Sequence, residues 1–447
     1  NFLPGRSPIA SLLSAPKHAN SALRMYDSTD ALVIGAGPAG TSTAIWLANA
    51  GWDVVLVEQH CYPRRKVCGE CIAAGNLGLL DELGIGTAFQ RMAGPQLRRV
   101  GWMSAAATIV ADLPPCKYGP YPFGRALGRD QFDELLLLRA RALGVRVLQP
   151  AKVRTARGEP ARFECEIESM PDGVHYGRPG SRTMRTVRAR VVVDAHGSWE
   201  AGPKLAGDGA VGVAQSPRRN SDLFAFKATF LNATLAPGVL PVLAINGGYG
   251  GIVVSDQGRT TLACCVRRDA LRACRALAPG AEAGAAVEVY LRRSCPGIRE
   301  ALVGAHRDGS WLSVGPLRPG IRIDAAHGLF RVGNAAGETH PLIGEGISMA
   351  LQSAALLANI LTQQPASAIR ARLASHLQHR YAAAWRAEFA SRLRLAAAYA
   401  HLAMRPALAS PTGALLRRWP TLLTMAARLA GKARCPILRP GLSEQII

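Results

Sequence analysis

The feature that most constrains this 447-residue chain is the stretch from Ala31 to Glu58. Ala31 to Ile34 is a short apolar run of the kind that forms a buried parallel strand. Gly35, Gly37 and Gly40 follow in G-x-G-x-x-G spacing, with Pro38 and Ala39 between the last two. The first glycine permits a tight turn, the second lets the backbone approach a pyrophosphate, and the third lets helix pack closely on strand. Thr41 to Ala50 continues as a helix whose N-terminal N–H groups favour a phosphate, by about 0.3–1 kcal/mol for an exposed charge. Val54 to Val57 is a second strand, and Glu58 ends it. A carboxylate there can accept both hydroxyls of an adenosine ribose and repels a 2′-phosphate. The glycines alone are a weak signal. Set between two strands, with the helix and the terminal acid, they predict a bound dinucleotide.

Composition narrows the class. A hydrophobic fraction of 49% with 46 glycines fits a globular α/β protein, and the length allows two or three domains. Lys and Arg number 53 against 31 acids, a net charge of +22 that attracts phosphates and anionic surfaces; an Arg-rich compositional bias explains it equally well. The basic residues are scattered without a basic-aromatic stripe or zinc-finger spacing, so neither nucleic acid nor a metal is expected. Ten irregularly spaced cysteines argue against a secreted disulfide framework and for the cytoplasm. No apolar run reaches the roughly 18 residues of a spanning helix. Residues 1–27 read as a disordered leader, with Met25 a candidate native start.

Further along, Arg64, Arg65 and Lys66 sit one loop from the proposed pyrophosphate, either neutralising it or forming a solvated basic loop. Cys68-Gly-Glu-Cys71 can be a redox dithiol, or Cys68 alone matters. Asp130 can cap a helix running to Leu143, and Arg129 beside it is either a phosphate or ribityl ligand or a surface arginine. Residues 151–193 alternate strands with turns, including a hairpin tip at 171–181. Arg190 to Asp194 is a buried strand leading to Gly197, and His196 reads as a polar loop residue. Short β runs over 204–317 suggest an antiparallel sheet interrupted by one helix, Ala281 to Arg293. Leu329 to Val332 is a strand before Gly333 and Asn334. The apolar helix beginning near Ile347 can turn its N-terminus toward a second anionic or electron-rich group. Beyond Gln364 the chain is helical and basic, suited to a membrane surface or to capping the core.

Four stretches, spread over most of residues 30–365, together resemble the FAD-dependent monooxygenase and geranylgeranyl-reductase superfamily, the flavoproteins that share the para-hydroxybenzoate-hydroxylase fold. They are G-A-G-P-A-G with Glu58, P-R-x-K-x-C-G-E at Pro63 to Glu70, R-D-x-F-D at Arg129 to Asp133, and G-[DN]-A-A-G…P-L-x-G-E-G-I at Gly333 to Ile347. The resemblance implies a Rossmann-like α/β FAD-binding domain (28–90, 122–203, 318–365), an inserted, mainly antiparallel β substrate domain (91–121, 204–317) and a C-terminal helical region (366–447). It implies FAD contacts at Gly35, Gly37, Pro38, Ala39, Gly40, Glu58 and Gln59, then at Arg64, Lys66, Cys68, Gly69, Arg129, Val153 and Gly197. Ribityl and pyrophosphate contacts fall at Gly333 and Asn334, where the family usually has aspartate. The isoalloxazine falls near Pro341, Gly344, Glu345, Gly346 and Ile347.

Cys68 matches the cysteine of the reductases' C-G loop. His340 would lie near the ring as an acid or base, or pack the loop. The segment G-G-Y-G-G-I-V-V-S-D at Gly247 to Asp256 stands where halogenases carry W-x-W-x-I-P and polyprenyl reductases Y-x-W-x-F-P, which argues against halogenation and weakens prenyl saturation. The leading expectation is an oxidoreductase that takes hydride from NAD(P)H and acts as a monooxygenase on a hydrophobic or aromatic small molecule. The alternatives are an ene-reductase of isoprenoid or lipid substrates and a non-catalytic, flavin-holding membrane-surface adaptor. With a single dinucleotide fingerprint, NAD(P)H binds transiently. The protein is expected as a monomer or homodimer, with peripheral membrane contact open.

Overall fold

A computed structural model describes residues 28–117, 119–169, 182–198, 202–205, 218–324, 328–341 and 344–428. The leader at 1–27 and the hairpin tip at 171–181 lie outside them. The chain opens with β1 (Ser28–Ile34), α1 (Pro38–Asn49) and β2 (Val54–Val57), the βαβ unit expected, with β1 and β2 parallel. Short β3 (Cys71–Ile72), α2 (Leu77–Glu82) and α3 (Gly86–Met92) lead to the hairpin β4 (Arg99–Met103) and β5 (Thr108–Asp112). Then come β6 (Arg125–Ala126), α4 (Arg129–Ala142), β7 (Arg146–Leu148), β8 (Ala151–Glu159), β9 (Arg162–Ser169), β10 (Met184–Asp194) and β11 (Lys204–Leu205).

The second half of the chain runs through β12 (Leu223–Leu231), β13 (Val239–Ile245), β14 (Gly248–Val254) and β15 (Thr260–Arg267). Helices α5 (Arg268–Leu277), α6 (Ala283–Ser294) and α7 (Pro296–Ala301) follow. Short β16 (His306–Arg307), β17 (Leu312–Val314), β18 (Gly320–Ile321), β19 (Phe330–Arg331) and β20 (Gly337–Glu338) lead into α8 (Gly346–Leu361), α9 (Ala371–Ala403), α10 (Pro406–Arg418) and α11 (Thr421–Ala427).

Two large sheets result. The first runs β11-β8-β9-β10-β1-β2-β7, with β19 beside β10. Its centre, β10-β1-β2-β7, is parallel and its β8-β9-β10 flank antiparallel. Alternate residues of the central strands serve two cores. Ala31 and Val33 pack with α1, α4 and α8, and Leu32 and Ile34 with the β8–β9 hairpin, as the two-residue repeat of a strand requires.

The second sheet runs β16-β12-β15-β14-β13-β4-β5, with β17 on β12. Its neighbours are antiparallel except β4 and β13. The same alternation divides its faces: Phe226 and Cys264 pack under α5–α7, whereas Ala225 and Cys265 pack toward α9–α11. The sheet is thus sandwiched between helices, which is why β12 is apolar almost throughout.

Three local expectations change. The sequence predicts one helix between 281 and 293, whereas three helices cover the sheet: the ten-residue α5, with Cys274 buried and Ala270 and Leu271 packed beside it, and the six-residue α7 add to α6. Asp130 is not a cap: Gly128 holds the N-cap position of α4, and Asp130 is engaged by Arg259 and Arg65. The helical region beyond Gln364 is interrupted at Trp419, between α10 and α11. Cys68 and Cys71 are both free thiols, as are the other described cysteines. Among the described residues no helix is long and apolar enough to cross a membrane.

Candidate functional site

The glycine turn is built by exclusion. Gly35 has φ +97°, and a Cβ on it would stand 2.6 Å from the Ala195 carbonyl. A Cβ on Gly40 would come within 1.9 Å of the Gly35 carbonyl, so α1 can lie on β1 only through glycine. Gly37 differs: a Cβ there would meet nothing nearer than Arg129 Nη2 at 3.9 Å, leaving its face open to a cavity. Glu58 is buried at the end of β2, accepting hydrogen bonds from the Ala36 amide at 2.8 Å and the His60 amide at 2.9 Å.

That cavity begins at Gly35, Gly37 and Glu58 and takes in Gly333, Asn334, Pro341, Gly344, Gly346 and Ile347. The two remote segments therefore meet. Pro38, Ala39, Lys66, Cys68, Gly69, Arg129 and Gly197 also line it, as does His196, which accompanies Asp194 at 2.6 Å. Other expected contacts are placed elsewhere. Gly40 is packing rather than wall. Val153 is in the core of the first sheet, paired with Ile167, because its side chain falls on the hairpin face of β8. Gln59 is turned to His60. Glu345 is buried and salt-bridged to Arg392 of α9. Arg64 is off the wall, yet its Nη1 is buried without a protein partner.

Two cations flank the glycine turn. Arg129 is held bidentate by Asp133, with Nε–Oδ1 and Nη2–Oδ2 both 2.7 Å. Burial pulls its pKa down, but the Asp133 charge and hydrogen bonds outweigh this and hold it above the ordinary arginine value. Burial, and then the Arg129 charge, lower the pKa of Lys66, against the pull of Asp133 and Glu58. A cationic wall beside an open glycine and a helix N-terminus suits a pyrophosphate.

The C-G-E loop is anchored by Glu70, a residue that sequence reasoning quoted without a role. Its backbone adopts φ +61°, and its amide donates to Cys68 Sγ at 3.3 Å. Its carboxylate accepts from the Arg129 amide (3.0 Å), from Thr261 Oγ1 (2.6 Å) and from Lys227 Nζ. Glu70, Lys227 and Thr261 are all buried. Asp256, also buried, accepts from the Gly128 amide at 2.7 Å and pairs with Arg259. These bonds bolt the second sheet to the start of α4. Partners 128 to 191 residues apart leave no local signal in the sequence.

At the far end of the nucleotide region, Gly333 has φ +58° and donates to Ser353 Oγ at 2.9 Å, while Asn334 Nδ2 donates to Ser198 Oγ at 2.6 Å. His340 shares a 2.9 Å hydrogen bond between its Nδ1 and the Tyr249 hydroxyl. Burial, and then the charge of His401, bring its pKa down to about 4. From here the wall turns apolar: Trp102, Leu240 and Ile252 of the second sheet, then Leu402, Leu423 and Ala427 of the C-terminal helices.

Residues 28–210 match the FAD binding domain family. Over 416 residues the chain is 28% identical to the menaquinone reductase of Mycolicibacterium smegmatis, covering 91% of this chain and 92% of that protein. The match to the menaquinone reductase of Mycobacterium tuberculosis is 29% identical but spans only 36% of that protein's length. Among solved structures, the myxobacterial chondrochloren halogenase superposes with a TM-score of 0.67 at 21% identity, over 90% of this chain and 97% of that one.

FAD fits the residues present. The open Gly37, the buried Glu58 and the two wall cations suit its pyrophosphate and ribose, and Gly346 and Ile347 at the start of α8 line the cavity where its ring would lie. With the match of residues 28–210 to the FAD binding domain family and the fold shared with a flavin-dependent halogenase, these features describe an FAD-dependent oxidoreductase.

Proposed function

We propose that this oxidoreductase reduces a long apolar substrate of the isoprenoid-quinone class, with electrons from NAD(P)H. The observation that carries the reading is the continuity of the cavity: one wall runs from the glycine turn past Pro341 and Gly346 to Leu402, Leu423 and Ala427. A compact aromatic would need only its inner part, whereas a polyprenyl tail has use for the outer apolar part. The relative named menaquinone reductase, matched along nearly its whole length, supports the same class.

Bound FAD supplies the two-electron chemistry, which no side chain can. Gly35, Gly37 and the start of α1 hold the pyrophosphate, Lys66 and Arg129 neutralise it, and Glu58 takes the ribose hydroxyls. Gly346 and Ile347, opening α8, favour negative charge on the ring's polar edge. Asn334 contributes a hydrogen bond without charge. Cys68 shapes the loop, its sulfur accepting the Glu70 amide. Leu415 of α10, Trp419 between the two helices and Met425 of α11 are exposed, with Arg417, Arg418 and Arg428 near them in the chain, a composition suited to an anionic lipid surface from which such a substrate would come.

The test is anaerobic turnover of the FAD-loaded protein with NADPH and a menaquinone, followed by mass spectrometry. A product richer by two hydrogens supports the reading. Oxygen-dependent turnover of a small aromatic, with an oxygen atom added, would replace it with a monooxygenase.

A further inference from the structure

We propose that Tyr249, His340 and His401 form a proton relay from the protein surface to the substrate part of the cavity. The inference deepens the reductase reading, since reduction of a double bond needs one proton for every hydride. Tyr249, on β14, lines the cavity, and its hydroxyl is bonded to His340 Nδ1 at 2.9 Å. His340 is itself buried, between Thr339 and Pro341, both of which line the same cavity. On its other side the ring of His401, exposed on the last turns of α9, stands edge-on at 6.2 Å between centroids, a separation that one water can bridge. His401 Nδ1 is committed to the Ala397 carbonyl at 2.8 Å, which leaves its Nε2 for exchange with solvent. Phenol, imidazole and imidazole thus form a file from the cavity to water.

The charges around the file keep it protonated where it matters. Burial, and then the Cys265 thiol and Glu338, push the Tyr249 phenol well above its ordinary pKa, so it holds its proton until substrate takes it. Cys265, pushed up to about 12, stays a thiol. Glu338 is paired with Arg322 at 2.8 Å. In the step itself, one alkene carbon receives a hydride that originates in NAD(P)H, and the other takes the Tyr249 hydroxyl proton. The phenolate oxygen draws the Nδ1 proton of His340, whose Nε2 accepts one from the His401 side. The sum consumes substrate, NAD(P)H and one solvent proton, and yields reduced substrate and NAD(P)⁺.

Two arms test this. In stopped flow, Tyr249→Phe and His340→Gln are expected to lower the rate of substrate reduction, relative to flavin reduction by NADPH, about a hundredfold. The wild type is expected to show a solvent deuterium effect in that step that His401→Gln enlarges. Independently of any substrate, ¹⁵N NMR of histidine-labelled protein reads exchange of the His340 ring proton with water. His401→Gln is expected to slow it about tenfold, and His401→Lys to restore part of it. Exchange unchanged in His401→Gln, or an unchanged ratio of half-reaction rates in Tyr249→Phe, overturns the relay. If the wild type reduces no isoprenoid quinone, the reductase reading fails while the exchange arm still decides the relay.

Discussion

Single residues divide here into those that shape the fold and those that face the ligand, and paired substitutions separate the two. Gly40→Ala forces a Cβ to within 1.9 Å of a backbone oxygen, so it should cost at least about 1–3 kcal/mol and release FAD with the lost packing. Gly37→Ala meets no atom closer than 3.9 Å, so stability should change by less than about 1 kcal/mol while FAD affinity falls at least tenfold. Urea melts alongside flavin-fluorescence titrations check both. His340 makes a pH prediction. Its pKa is about 4 in the folded protein against an ordinary 6.5, so below pH 6.5 the unfolded chain binds a proton that the native one refuses. Its contribution to stability is complete above pH 6.5 and falls away toward pH 4, by up to about 3 kcal/mol. His340→Asn should therefore lose less stability than wild type between pH 7 and pH 5, read as the shift in urea midpoint.

Elements hold the site together through a few buried charges. The Glu70–Lys227 pair joins the C-G-E loop to β12, and removing one partner leaves the other charge stranded in the core. Lys227→Met alone should cost about 3–5 kcal/mol, and Lys227→Met with Glu70→Gln should recover a good part of it, measured by denaturation. Arg392 does the same between α9 and the start of α8, binding Glu345 and Gln352. These junctions were illegible in the sequence because their partners are distant along the chain and no periodicity links them. The βαβ unit was legible because glycine spacing, apolar runs and a terminal acid are all local. Val153 shows the limit in between: a strand residue can be recognised, but which of two faces it takes depends on pairing with β9. Helices α5 and α7 escaped the sequence reading because they are short, ten and six residues, although α5 is amphipathic, with Cys274 in the core and Ala270 and Leu271 packed beside it.

On the scale of the whole molecule, two sheets and a C-terminal helical layer enclose one cavity, nucleotide-like at one end and apolar at the other. The remote glycine segments could be read as converging, because each carried its own pattern of strand, glycines and helix. The apolar end could not, since it is assembled from β4, β13, β14 and the last helices. If α10 and α11 meet a lipid surface, Trp419→Ser with Met425→Ser should weaken sedimentation with anionic vesicles at least tenfold and leave FAD binding intact. High salt should weaken the wild type as well. The most direct test of the central claim mixes NADPH-reduced, FAD-loaded protein with a menaquinone under argon and follows flavin absorbance. Rapid reoxidation without oxygen, with a product two hydrogens heavier, is the predicted result. Flavin that stays reduced until oxygen is admitted would contradict it.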